Sequence, residues 1–184
     1  MVQSRIVTDR ELMQLGSKNP QLRFERNADG SLVTMAPTGG ISGNREAKAI
    51  AYLLTWVESN NLGEVFSSSC GFKLDNGAIR SPDAAFVAKN NLPPNWDREE
   101  DSFLNLAPDF VIEIRSKTDS LDILKDKMQE YLANGVKLAW LIDRYEQQAL
   151  VYRSDGSITQ YPPDAMLSGE DIVTGFQLKL RSLL

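Results

Sequence analysis

Residues 108–143, PDFVIEIRSKTDSLDILKDKMQEYLANGVKLAWLID, constrain the fold more than any other stretch. Strand periodicity gives way to helix periodicity and then to an apolar strand. Over 109–115 the side chains alternate, with Phe110, Ile112 and Ile114 on one face and Asp109, Val111, Glu113 and Arg115 on the other. From about 120 to 134, Leu121, Leu124, Met128, Tyr131 and Leu132 form a helical stripe, and Gly135 supplies the stop. Residues 136–143, VKLAWLID, then read as a buried strand. Glu113 stands among apolar neighbours, where an unpaired charge is costly. Something must compensate it, and we read that compensation as a metal ion.

A chain of 184 residues is expected to form one domain, spanning 1–184. The hydrophobic content of 42% and charged content of 24% suit a globular protein. No apolar run approaches the roughly 20 residues of a membrane span. The start of the chain, MVQSRIVTDRELMQLG, lacks the basic-then-apolar order of a signal peptide, so a cytoplasmic site is expected. The single cysteine, Cys70, excludes an internal disulfide and a multi-thiolate zinc site. The absence of histidine excludes more: Ser/His/Asp and Cys/His triads, HExxH zinc hydrolysis and imidazole acid–base chemistry. An enzyme built from this sequence would rely on carboxylates, lysine and a hard metal. A net charge of −5 argues against a surface coated for non-specific nucleic-acid binding, though not against a local basic cleft.

Elsewhere the pattern predicts a capped helix opening at Thr8, with Leu12 and Leu15 inward and Gly16 ending it. A hairpin follows, 22–26 and 31–37 around the turn NADG. A glycine-rich loop through Gly39, Gly40 and Gly43 leads into a helix over 44–60, apolar along Ala47, Ile50, Ala51, Leu54 and Val57. Glu46, in the first turn of that helix, is the kind of acid that serves the helix dipole. Strands are expected at 64–68, 71–74 and 80–88, with Asp83 early in the last, just after Pro82. Residues 89–107 read as an exposed excursion anchored by Trp96 and Phe103. A second hairpin, 149–152 with 157–161, precedes a closing cap with Val173, Phe176 and Leu178 buried.

Three features combine. Asp83 follows a proline, Glu113 lies thirty residues later, and the next helix carries Lys127 on one flank of its stripe and Lys125 on the other. Two acids on adjacent strands with a nearby amine is what metal-assisted phosphodiester hydrolysis requires. Carboxylates supply oxygens for Mg²⁺ or Mn²⁺, and a lysine can orient a water or offset charge on phosphorus.

The segments SPDAAFV (81–87), PDFVIEIRSKTDSL (108–121) and KMQEYLANGVKLAWLID (127–143) resemble the Uma family of bacterial proteins. That family belongs to the restriction-endonuclease-like, PD-(D/E)xK nuclease superfamily, and the resemblance runs from the MAPTGG loop at 35–40 to the SGED and GF segments near the end. It implies an α/β (α+β) fold: a restriction-endonuclease-like core whose mixed central sheet is flanked by helices, with extra β-hairpins. It implies Asp83 and Glu113 as metal-binding acids for Mg²⁺ or Mn²⁺, Lys127 as the lysine moved to the following helix, and Glu46 as an additional ligand. Gln129 and Tyr131 are similar to polar helix positions that line such sites. The usual lysine position after the glutamate is Arg115, which can bind or neutralise charge but not accept a proton. The sequence also has Ser116-Lys117 where Ser-Pro is expected, and Asn44 where many members carry histidine.

The implied activity is a divalent-metal-dependent DNA endonuclease with no membrane association. The hairpin edges suggest a homodimer. The competing reading is a non-catalytic nuclease-fold binding protein, in which Arg115 forms a structural ion pair with Glu113.

Overall fold

Thr8 caps the first helix, α1 (Asp9–Lys18), through reciprocal bonds with Glu11, and the helix runs two residues beyond Gly16. The computed structural model describes residues 6–98 and 102–184. Strands β1 (Arg23–Arg26) and β2 (Leu32–Met35) form the first hairpin, turning at Gly30 with φ +84°. Helix α2 (Gly40–Ser59) follows, then β3 (Gly63–Ser67), β4 (Phe72–Lys73), β5 (Ile79–Arg80) and β6 (Ala84–Ala88). The central unit is β7 (Phe110–Ile114), α3 (Leu121–Ala133) and β8 (Leu138–Asp143). The chain closes with β9 (Gln148–Arg153), β10 (Ile158–Tyr161), β11 (Met166–Ser168) and β12 (Gln177–Lys179).

The main sheet has six strands in the order β10-β9-β8-β7-β6-β3. Its one parallel pair is β7 with β8, because α3 returns the chain to the end it left. A four-stranded sheet, β2-β1-β5-β4, stands beside it, and β11 pairs with β12. On one face of the main sheet Phe110, Ile112, Trp140 and Ile142 pack against Ala49, Leu53 and Val57 of α2 and against Val173, Phe176 and Leu178. On the other, Val111, Ala139 and Leu141 pack against Met128 and Tyr131 of α3. Each of the larger aliphatic and phenyl side chains buried here is worth about 1.5–3 kcal/mol. The two faces together hold β7 in place at every residue.

Four local expectations are corrected. Helix α2 begins at Gly40, inside the stretch read as a loop, and its buried stripe is Glu46, Ala49, Leu53 and Val57. Ala47 and Ala51 are exposed. Alanines at 47, 49 and 51 give the stripe no sharp edge, so the larger Leu53 and Val57 decide which side turns inward. The strand expected over 80–88 breaks at 81–83 into β5 and β6, which belong to different sheets. Pro82, with no N–H to donate, lies at the switch. Gln129 faces solvent, since the buried stripe of α3 passes through Met128 and Tyr131. The fourth is Arg115, which pairs with Asp143 and not with the acids of β6 and β7. The two expected anchors are seated: Trp96 meets Phe66 edge-on at 5.6 Å, and the Phe103 ring lies against Gly71.

Candidate active site

The break at Pro82 sets Asp83 at the head of β6. Ala84 is opposite Ile112 in the antiparallel register, and one residue further places Asp83 across from Glu113. Asp83 Oδ2 accepts the backbone N–H of Ile114 at 2.8 Å. Glu113 projects to the α3 side, where Lys127 and Tyr131, one helical turn apart, share a face. The Tyr131 hydroxyl donates to Glu113 Oε1 at 2.8 Å, and Lys127 Nζ reaches the same oxygen at 2.8 Å. Lys127, rather than Lys125, thus makes contact with the strand acid.

Lys127 also reaches Glu25 Oε1 on β1 at 3.0 Å. Glu25 is buried. Its Oε1 accepts the Ser81 N–H at 2.8 Å, and its Oε2 pairs with Arg80 at 3.2 Å. Arg80 in turn meets Glu130 at 2.6 Å. Charges therefore alternate along Glu113, Lys127, Glu25, Arg80 and Glu130, binding the small sheet to α3. Glu46 lies buried on the inner side of α2, beyond the first turn, because the helix starts earlier than the sequence suggested. Its Oε1 accepts from the Ser68 hydroxyl and from Arg23 at 3.4 Å.

Burial, the facing Glu113 and then Glu46 push the Asp83 carboxyl up to about 8, against the Ile114 N–H and Lys127. Burial also raises Glu113, although Lys127 and Tyr131 pull the other way. Burial acts in the same sense on Glu25, but Lys127, the Ser81 N–H and Arg80 outweigh it and hold that carboxylate below its ordinary range. Burial disfavours the charged form of Lys127. Glu113 and Glu25 overcome it, so the side chain is an ammonium.

Three carboxylates thus crowd one end of the site, and each has an oxygen to spare. Among the described residues no hydrogen bond reaches Asp83 Oδ1, Glu113 Oε2 or Glu46 Oε2. The set suits a hard cation, which prefers carboxylate oxygens and would relieve their mutual repulsion. As they stand, no three Asp, Glu, Cys or His side chains among the described residues close on a common point tightly enough to hold an ion. A cleft of about 670 Å³ adjoins Glu46 and Glu25 through their partners Arg23, Ser68 and Ser81, which line part of it, while Asp83, Glu113 and Lys127 lie behind that wall.

Arg115 does not join this group. It pairs with Asp143 at 3.0 Å and lies over the Tyr145 ring. Ile114 pairs in parallel with Ile142, so the next residues, Arg115 just past β7 and Asp143 at the end of β8, fall side by side. Asp143 is fully buried and takes the guanidinium as its counter-charge. The Glu113–Arg115 ion pair of the competing reading is not formed. Glu25 was missed altogether. It sits in a short hairpin strand, RFER, whose alternation carries no sign that one of its charges turns inward.

The family model described as "Uma2: Putative restriction endonuclease" matches residues 9–181, which include every residue of this site. The chain belongs to the Uma2 family. Among solved structures it resembles the crystal structure of a putative nuclease belonging to DUF820 from Anabaena variabilis ATCC 29413, with a TM-score of 0.75 and 21% identity. The match covers 88% of this chain and 89% of that one. At that identity the likeness speaks to the fold, and it agrees with the restriction-endonuclease-like core expected for Uma2: a mixed sheet flanked by helices. No curated protein matches the chain. Among the described residues no helix is long and apolar enough to cross a membrane.

Proposed function

We propose that this Uma2 chain is a divalent-metal-dependent endonuclease that hydrolyses DNA phosphodiester bonds in the cytoplasm. The observation that carries the reading is the convergence of Asp83, opposite Glu113 across the sheet, with Lys127 bound to Glu113, while one oxygen of each acid is uncommitted among the described residues. Asp83 and Glu113 would hold Mg²⁺ or Mn²⁺, with Glu46 as a further ligand. When bound, such an ion supplies Lewis acidity toward a phosphoryl oxygen. Lys127 enters the reaction as a cation, because two carboxylates keep its proton in place. It therefore orients the attacking water and offsets charge gathering on phosphorus, rather than removing a proton. Tyr131 holds the Glu113 carboxylate in line. Arg115, tied to Asp143, would be confined to the rim, where it can meet a backbone phosphate without reading sequence. In the same reading the outer strands β2 and β10 offer edges through which two copies could pair.

The test is cleavage of supercoiled plasmid with Mn²⁺ or Mg²⁺. Wild type should nick the plasmid, and Glu113→Ala and Lys127→Ala should lose that activity. Equal nicking by all three proteins would reject the assigned roles.

A further inference from the structure

Lys127 and Tyr131 both act on the same oxygen of Glu113, Oε1. A cation sharing Glu113 with Lys127 would have to take Oε2 and tolerate an ammonium close by. Two positive charges at such separations repel strongly in a buried site, where screening by water is weak. Left to itself, the flexible lysine would settle wholly on the nearest carboxylate and compete with the ion for it.

Glu25 prevents this. It comes from β1, in the other sheet, and approaches Lys127 to 3.0 Å. Its own position is fixed on two further sides, by the Ser81 N–H at 2.8 Å and by Arg80 at 3.2 Å. Arg80 is braced in turn by Glu130, a residue of α3. Glu25 is thus a fixed counter-charge rather than a loose surface acid. Both of its oxygens are engaged, whereas among the described residues Asp83, Glu113 and Glu46 each keep one without a hydrogen bond. We propose that Glu25 is a positioning residue: it holds the Lys127 ammonium at Glu113 Oε1 and shares its charge, leaving Glu113 Oε2 available to a divalent ion. Because Arg80 and Ser81 immediately precede Pro82-Asp83, the same acid links the small sheet to the start of β6. This inference rests on the metal-site reading above and adds to it a residue outside the expected motif.

The experiment is calorimetric titration of Mn²⁺ into wild type, Glu25→Gln, Lys127→Met and the double variant, at one pH and salt concentration. Glutamine keeps an oxygen for the Ser81 N–H and for Lys127 while removing the charge and the acceptor of Arg80, which Glu130 still pairs, so the variant should fold. Glu25→Asp, which keeps the charge but falls short of the lysine, serves as a second variant. Glu25→Gln should weaken Mn²⁺ binding about tenfold, or roughly 1.4 kcal/mol. Glu25→Asp should fall between it and wild type. In the Lys127→Met background the Glu25 substitution should change affinity by less than about twofold, because the residue acts through the lysine. An undiminished tenfold effect in that background would show Glu25 acting on the ion directly and overturn the proposal. Wild-type affinity in Glu25→Gln would overturn it as well. Failure of wild type itself to bind Mn²⁺ would remove the metal-site reading, and this inference with it.

Discussion

Strand β7 carries a buried acid at each end, and the two are treated differently. Asp109, just before the strand, is saturated. Its Oδ2 accepts the Ala88 N–H at 2.8 Å, and its Oδ1 accepts from Asn91 at 2.7 Å and pairs with Lys137 at 2.7 Å. Glu113, near the other end, places both of its partners on one oxygen and faces a second acid across the sheet. Burial of a carboxylate is therefore not the mark of a reactive site here. Asp143 is as deeply buried and as fully paired as Asp109. What distinguishes Glu113 is the oxygen left over and the like charge beside it, an arrangement that costs stability unless a cation joins it.

The comparison breaks most visibly in activity. Glu113→Gln should reduce plasmid nicking with Mn²⁺ on the order of 10³-fold, the scale of losing a charged group at the reacting centre. Asp109→Asn, once folded, should stay within about threefold of wild type on the same assay. Comparable losses in both would mean that the two ends of β7 do not differ in function.

Stability should reverse the order. Asp109→Ala strands the Ala88 N–H and takes the counter-charge from Lys137, and is expected to cost about 1–3 kcal/mol in urea unfolding. Glu113→Gln removes an acid already strained by burial and should cost less than about 1 kcal/mol or even stabilise the metal-free protein. A Glu113 variant less stable than the Asp109 variant would contradict the reading of β7.

Much of this contrast was legible in the sequence, and the limits of that legibility are physical. The alternation over 109–115 and the stripe of α3 are periodic and local, so the strand, the helix and the inward faces of Glu113 and Tyr131 could be read directly. The pairing of Asp83 with Glu113 follows from two neighbouring strands and one proline. Glu46 was harder. Alanines on several sides of α2 blurred its stripe, and an early helix start at Gly40 turned a first-turn acid into a buried one. Glu25 and the Arg115–Asp143 pair were not legible at all. Both depend on which strand lies beside which, and no periodicity within a single segment encodes that.

The facing acid, Asp83, gives a pH test. Its carboxyl moves from an ordinary value of 3.8 to about 8 in the metal-free fold. Between those values the folded chain holds a proton that the unfolded chain has released. Stability therefore falls as pH rises through this window and levels off above it. Asp83→Asn, which keeps an oxygen for the Ile114 N–H, should stabilise the metal-free protein by about 1–3 kcal/mol at pH 8.5 and change little below pH 4. Equal effects at both pH values would show that the carboxyl is not perturbed by its neighbours.

The smallest effect should come from Tyr131→Phe. The hydroxyl gives Glu113 one of two donors on Oε1, and the ring itself is packed against the sheet with no exposure. Phenylalanine keeps that packing, so the change isolates a single hydrogen bond to a charged acceptor, worth about 1.5–3 kcal/mol. Part of the loss should be recovered, because Lys127 remains on the same oxygen and can shift toward it. Net destabilisation of about 1 kcal/mol and a threefold to tenfold fall in nicking are expected. The fall should shrink as Mn²⁺ is raised if the hydroxyl acts by keeping Glu113 charged, since the ion competes with a proton for that carboxylate. A loss independent of Mn²⁺ would instead place Tyr131 in direct contact with the substrate.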